Sequence, residues 1–287
     1  MKRINYKQIK HWSLIIIILI NFIIYYSVYA ESREGMLRVT FLDVGQGDAI
    51  FIESPNGNQM LIDSGPDKNI LNALGRVMPF YDKSIDFVIS THPDQDHIGG
   101  LPEVFKNYSV LEYFTNGMIS ETGTFKEVEQ EIIDNNIDTG ILREGEIIDF
   151  GDGVLLKILY PNLPPEGKDT NEYSIVAKLF YGDSSFILTG DAPTDVLDFL
   201  ANTDGINLKS DVLKVAHHGS KNSLSPEFLS AVSPEYSIIS ASLDNSFGHP
   251  HKEIVDALND VKTNILETFN NGDIIFSTDG GGVIIRY

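Results

Sequence analysis

Between an apolar, β-prone stretch (Ile85 to Ile89) and the pair Gly99-Gly100, the chain carries the run His92-Pro93-Asp94-Gln95-Asp96-His97. Its flanks place the run on a loop that joins a strand to a helix. A single His or Asp in such a loop is ordinary solvated polarity. Four metal-capable side chains within six residues instead make a ligand motif in the right structural context. Mixed imidazole and carboxylate donors suit divalent cations of intermediate hardness: the oxygens favour Mn²⁺, and the histidines keep Zn²⁺ open. Calcium loops of the D-x-D type use oxygen almost exclusively and would leave His92 and His97 without a role.

The chain ends add a second constraint. Lys2, Arg3, Lys7 and Lys10 precede an uncharged stretch from Trp12 to Tyr29. Residues 1–30 read as an export segment, either a signal peptide cut after Ala30 or an uncleaved membrane anchor. The apolar stretch has about the 17 to 25 residues that a bilayer requires, and its basic flank would stay cytoplasmic. Either outcome puts the remainder outside the cell, with residues 31–36 as a short linker and 37–287 as one domain. Setting aside the four basic residues of that segment leaves 17 Lys and Arg against 41 Asp and Glu, a net charge of −24. Such a field repels polyanions at long range and argues against nucleic-acid binding through an extended basic surface. The absence of cysteine rules out disulfides and thiolate ligands, so stability must come from a hydrophobic core, which a domain of this length can supply.

Alternating β-formers over Leu37–Leu42, Ala49–Glu53 and Gln59–Ile62, with turn signals at Gly45-Gln46-Gly47 and Asn56-Gly57, predict an antiparallel meander. Helical patterns follow near Lys68–Met78, Leu101–Lys106 and Phe125–Asn135. A second meander is expected from Ile147–Phe150, Val154–Tyr160, Ser174–Phe180 and Ser185–Thr189. After it, helices at Pro193–Ala201, Pro226–Val232 and Lys252–Asp260 alternate with strands at Val212–Ala216, Tyr236–Ser240 and Ile274–Ser277. The amphipathic helices would each cover an outer sheet face, giving an α+β protein built as an αββα four-layer sandwich. Polar residues at strand ends then gather on one rim.

Three further strand ends carry metal-competent side chains: Thr189-Gly190-Asp191, His217-His218-Gly219-Ser220, and His249-Pro250-His251. Asp191 alone also fits an N-cap for the helix starting near Pro193. In extended backbone His217 and His218 would point to opposite faces, so only one would enter a site, and the Gly219 turn favours His218. Pro250 biases His249 towards extended backbone and makes it the better ligand, with His251 a surface histidine.

These segments, taken in order and spacing, resemble the metallo-β-lactamase-fold hydrolases. Phe41-Leu42-Asp43-Val44-Gly45-Gln46-Gly47-Asp48, Thr170-Asn171-Glu172-Tyr173-Ser174 and His217-His218-Gly219-Ser220-Lys221-Asn222-Ser223 further resemble the extracellular hydrolase domain of ComEC-type DNA-uptake competence proteins. The likeness spans Leu37 to Tyr287. Where the wider superfamily usually offers histidines, this chain has Asp94 and, near the matching place, Asn171. The resemblance therefore implies an oxygen-rich site for one or two divalent metal ions, Mn²⁺ or Zn²⁺. ComEC proteins are polytopic, whereas this chain has one apolar segment, so the expectation is a stand-alone exported hydrolase. It would meet the membrane only through that segment, and no partner protein is evident.

By analogy with that fold, His92 and Asp94 would hold one metal, Asp96, His97 and His249 the second position, and Asp191 would bridge. Asp63 would orient His92 or a loop amide from behind, Asp48 would brace the Gly45–Gly47 turn, and Asp43 is a further supporting residue. The expected chemistry is attack of metal-activated water on a phosphodiester of nucleic acid. Asp96 would belong to the catalytic set, His217 or His218 would protonate the leaving group, and Asn171, Ser220, Lys221 and Ser223 would contact substrate. Two rival readings share the fold: hydrolysis of acyl or lactam substrates, and a silent surface binding module.

Overall fold

The computed structural model describes residues 6–30, 35–167, 169–203 and 207–286. They fall into two compact units, one within Met1–Glu34 and one within Gly35–Tyr287. The first contains helix α1 (Tyr6–Ala30), whose apolar side chains from Trp12 to Tyr25 are exposed on every face. Among the described residues no helix is long and apolar enough to cross a membrane. The expected linker over residues 31–36 lies, apart from Gly35 and Met36, outside the described residues.

In the second unit, β1 (Leu37–Phe41), β2 (Ile50–Glu53) and β3 (Gln59–Ile62) form the expected antiparallel meander. The order then turns parallel through β4 (Ser84–Ile89), β5 (Ser109–Thr115) and β6 (Asp138–Ile141). The crossovers run through α2 (Asn69–Val77), α3 (Gln95–Ile98) with α4 (Leu101–Asn107), and α5 (Gly123–Asn135). Parallel neighbours require such crossovers, because a tight turn joins only antiparallel strands. Thr122 starts α5 by accepting a hydrogen bond from the Phe125 amide, and Asn136 ends it in the left-handed conformation, both ordinary helix-boundary devices.

The second sheet repeats the plan. Antiparallel β7 (Ile147–Gly151), β8 (Val154–Tyr160), β9 (Val176–Tyr181) and β10 (Ser184–Leu188) lead into parallel β11 (Val212–Lys214), β12 (Tyr236–Ile239) and β13 (Asn264–Glu267). Helices α6 (Thr194–Asn202), α7 (Pro226–Val232) and α8 (Lys252–Asp260) connect the parallel strands, and the short α9 (Thr268–Asn271) follows β13. Finally β14 (Ile274–Thr278) and β15 (Ile284–Arg286) return to the first sheet beside β1. The expected strand at Ser174 begins two residues later, because Asn171–Tyr173 forms a 3₁₀ turn. The short strands β6, β13 and β15, and the longer β5, lie outside the expected elements, since their half-exposed residues leave little periodic signal.

The layers are αββα. Leu37, Val39 and Phe41 from one sheet meet Phe150, Leu156, Ile158 and Phe186 from the other in a buried inner core. Phe276 packs edge-to-face on Phe41, Phe186 and Tyr236. Residues of α2, α4 and α5 cover the outer face of the first sheet, and residues of α6, α7 and α8 that of the second. Strand β10 shows the alternation: Phe186 and Leu188 face the inner core and Ile187 the helices. Each buried side chain of this size contributes about 1.5–3 kcal/mol, enough for a domain without cross-links.

Candidate metal centre

The parallel strands in both sheets bring their carboxyl ends to one set of loops, the place where open α/β sheets build sites. Asp63 follows β3, the run His92–His97 follows β4, Asp191 follows β10, and His217 and His218 follow β11. The centre gathers Asp96, His97, Asp191 and His218, with Asp48 and Asp63 behind His97.

Asp191 lies in the middle. Its Oδ1 stands 3.2 Å from His97 Nε2, while Oδ2 stands 3.7 Å from His217 Nε2, 3.7 Å from His218 Nε2 and 3.9 Å from His92 Nε2. Asp96 Oδ2 is 3.2 Å from His218 Nε2, and Asp94 Oδ2 is 3.7 Å from His92 Nε2. His92 Nε2, His97 Nε2 and Asp191 Oδ1 are buried without a hydrogen-bond partner among the described residues, since the 3.2 Å pair is out of alignment. Leaving buried polar atoms unpaired costs about 1–3 kcal/mol each. Imidazole nitrogens and carboxylate oxygens converging in this way are instead the donor set of a divalent cation. The residues present therefore fit one or two such ions.

The supporting shell differs from the expected one in two places. Asp63 takes the loop amide, as expected, accepting from the Thr91 amide at 2.8 Å and the Thr91 hydroxyl at 2.7 Å, but the ring it orients is His97 rather than His92, its Oδ2 lying 2.8 Å from His97 Nδ1. Parallel pairing of Ile62 with Ile89 sets Asp63 beside Thr91, a register that the run alone does not reveal. Asp48 does not brace the glycine turn. Its Oδ1 lies 2.8 Å from Lys214 Nζ and 3.3 Å from His218 Nδ1, all three side chains being buried. Asp43 holds the turn instead, accepting from the Gly45 amide at 3.2 Å, while its main chain binds Asp273 and Arg76.

Both histidines of the pair reach Asp191, contrary to the alternation expected of a strand. Strand β11 stops at Lys214, and His217 and His218 both take left-handed backbone, with φ of 47° and 55°. Non-glycine residues pay for that conformation, and such strain collects at functional sites. His218 is buried and its Nδ1 lies 2.8 Å from the Ser240 carbonyl, whereas His217 is 32% exposed. His249, expected at the second metal position, touches the centre only through its ring, 5.6 Å from His217 and 6.3 Å from His218 between centroids. Its main chain is held by the Asn245 side chain at both amide and carbonyl. Asp191 is not a simple helix cap, because α6 begins at Thr194 behind Pro193, and its carboxylate faces the histidines.

Of the expected substrate contacts, Ser223 is withdrawn: it is fully buried and its hydroxyl donates to the Ser220 carbonyl at 2.5 Å. Lys221 is exposed and 3.6 Å from Glu253, an exposed pair of small energetic value. Asn171 sits in the 3₁₀ turn with its Oδ1 buried and unpartnered. Ser220 is half-buried beside His217.

Sequence reasoning missed Lys214, Ser174 and Thr91. Lys214 carried a signal, a cation inside the apolar run Val212-Leu213-Lys214-Val215, because a fully buried lysine requires a charged partner. Ser174 links two ligand loops: its hydroxyl accepts from the Asp191 amide at 2.9 Å and lies 3.4 Å from His92 Nδ1. Two glycines permit the close approach. A Cβ on Gly47 would fall 2.2 Å from the Asp96 carbonyl oxygen, and one on Gly190, at φ +49°, would fall 2.3 Å from Ser174 Oγ.

The electrostatics are those of a charged cluster. Burial pushes His92 down to about 4, helped by the neighbouring His97. Burial also works against charge on His97, but the Asp191 and Asp63 carboxylates prevail and hold it well above its ordinary value. At His218 burial is likewise outweighed, by Asp191 and Asp48, and the group rises to about 9. Asp191 is held well below the carboxylate range by His97 and His218 despite its burial.

Two packed sheets with an imidazole–carboxylate centre on the loops of one rim define a metal-binding protein of the αββα class. The chain matches the metallo-β-lactamase superfamily over residues 42–242 and belongs to it. It is 33% identical over 261 residues to ComE operon protein 3 of Bacillus subtilis (strain 168), covering 85% of this chain and 33% of that protein. It is 28% identical over 254 residues to competence protein ComA of Neisseria gonorrhoeae, covering 87% and 33%. The chain thus spans about a third of the length of these curated relatives. Among solved structures, the metallo-β-lactamase fold protein YhfI from Bacillus subtilis superposes with a TM-score of 0.58 at 10% identity, covering 84% of this chain and 100% of that one. CmlA, a diiron β-hydroxylase from Streptomyces venezuelae, gives 0.53 at 14%, covering 80% and 52%. The chain is a metallo-β-lactamase superfamily hydrolase related to ComEC-type competence proteins.

Proposed function

We propose that this hydrolase is an exported phosphodiesterase that cuts nucleic acid with Mn²⁺ or Zn²⁺. The observation that carries the reading is Asp191, whose two carboxylate oxygens face His97 on one side and His92, His217 and His218 on the other. That arrangement supports a bridging ligand between two cation positions. His92, Asp94, Asp96, His97, Asp191 and His218 would hold the metal, with His249 at its margin. A bound divalent cation supplies Lewis acidity and a water-derived nucleophile at neutral pH.

The chain's own residues do the rest. Asp63 and Asp48 keep the ring planes of His97 and His218 in place, so the ligand set needs little rearrangement. His217 is the accessible imidazole beside Asp191 and would give the leaving oxygen its proton. The name of the Neisseria gonorrhoeae relative, a competence protein, favours a nucleic acid as the phosphodiester. Export belongs to the same proposal, with residues 1–30 acting as a signal peptide or as an anchor that leaves the hydrolase outside the cell.

The test is turnover of single-stranded DNA by the full chain with Mn²⁺, Zn²⁺ or Mg²⁺, together with elemental analysis of the purified protein. Metal-dependent cleavage that is lost in Asp96→Ala supports the reading. No cleavage with any of the three ions, or equal activity in Asp96→Ala, overturns it. Hydrolysis of nitrocefin in place of DNA would turn the assignment to lactam chemistry.

A further inference from the structure

A cavity of about 330 Å³ is walled by Tyr160, Tyr173 and Phe199 with Asp169, Glu172 and Asp195 at its edge. Its lining runs straight out of the ligand loops. Tyr173 precedes Ser174, whose hydroxyl holds the Asp191 amide. Asp169 precedes Thr170, in the loop that leads into the 3₁₀ turn of Asn171. Asp195 lies in the first turn of α6, four residues past Asp191.

The wall is built to keep its rings in place. The Tyr160 hydroxyl donates to the Glu172 carbonyl at 2.8 Å, and the Tyr160 ring meets Phe199 edge-on at 6.3 Å. The Asn116 side chain donates to the Tyr173 carbonyl at 2.9 Å. Yet Phe199 remains 41% exposed, a large apolar ring left uncovered at the mouth of a cavity.

Aromatic faces take a flat ring by stacking, and three carboxylates at the edge repel phosphate while accepting N–H donors. A nucleobase meets both demands. Its ring stacks, and its amino and ring N–H groups face the carboxylates while its phosphate remains at the metal centre. Guanine fits best, because N1–H and the N2 amino group present adjacent donors to one carboxylate. Thymine fits worst, because carbonyl oxygens flank its single N–H.

We propose that this cavity is a nucleobase subsite with a preference for guanine, holding the base next to the scissile phosphodiester. It rests on the phosphodiesterase reading for its purpose, but base binding is measurable without turnover. Saturation-transfer NMR on the full chain with phosphate-free nucleosides is the direct experiment. Saturable binding is expected in the order guanosine over thymidine, and weakened about 5- to 150-fold in Phe199→Ala, the range for removing one stacking face. Asp195→Asn, at an exposed position that does not carry the fold, should shrink the guanosine preference. Binding without DNA cleavage would leave the subsite standing and sink the nuclease. Cleavage without nucleoside binding, or binding unchanged in both variants, would overturn the subsite and leave the nuclease intact.

Discussion

Lys214 Nζ lies 2.8 Å from Asp48 Oδ1, and neither side chain reaches solvent. The same Asp48 oxygen lies 3.3 Å from His218 Nδ1, so one buried ion pair fixes the floor of the metal centre. Burial disfavours charge on Asp48, but Lys214 and then His218 hold its carboxyl far below the ordinary range. Removing one partner of such a pair leaves an uncompensated charge and costs about 3–5 kcal/mol. Lys214→Met should therefore lower the unfolding midpoint sharply, and Asp48→Asn added to it should restore much of the loss. Thermal melts of the two variants and the parent measure this directly.

The histidines give the metal-free protein an opposite pair of pH slopes. His218, raised to about 9, adds stability that is complete below its unfolded value of 6.5 and is lost as pH rises through 9. His92, lowered to about 4, takes its proton only on unfolding between those values, so stability falls as pH drops from 6.5 towards 4. This cluster's contribution should peak near pH 6.5 in chelator-treated protein. Metal displaces protons from its ligands, so saturating Mn²⁺ should flatten the alkaline arm. Chemical unfolding across pH 4–10, with and without the ion, reads both arms.

Because Asp63 holds His97 at 2.8 Å and also caps the Thr91 amide, Asp63→Asn should weaken metal binding by about 10- to 100-fold, the usual effect of losing such a partner. Competition with a coloured chelator gives the affinity. An unchanged value would show that the contact does not set the ring.

Gly190→Ala adds a Cβ where φ is +49° and Ser174 Oγ stands 2.3 Å away. The hydroxyl must move, and with it the contact that holds the Asp191 amide. The expected outcome is a folded chain, by circular dichroism, with metal content well below the parent's.

Much of this protein is legible in one dimension. The meander β1–β3, the amphipathic helices α2 and α4 to α8, and the layered αββα plan follow from period and turn chemistry, which are local. The run His92–His97 was readable as a ligand loop because its density needs no tertiary information. The short, half-exposed strands β6, β13 and β15 were not readable, because partner strands rather than their own side chains hold them in place.

The site separates the two kinds of knowledge more sharply. Residue type and order determined that a metal-suited set of imidazoles and carboxylates exists and that strand ends carry it. Only the folded chain decided which members meet. Parallel register put Asp63 behind His97 instead of His92. Left-handed backbone at His217 and His218 turned both rings towards Asp191, and a buried lysine drew Asp48 away from the glycine turn. Those choices depend on distances between segments far apart in the chain, which packing and backbone strain set and which no local pattern of side chains encodes.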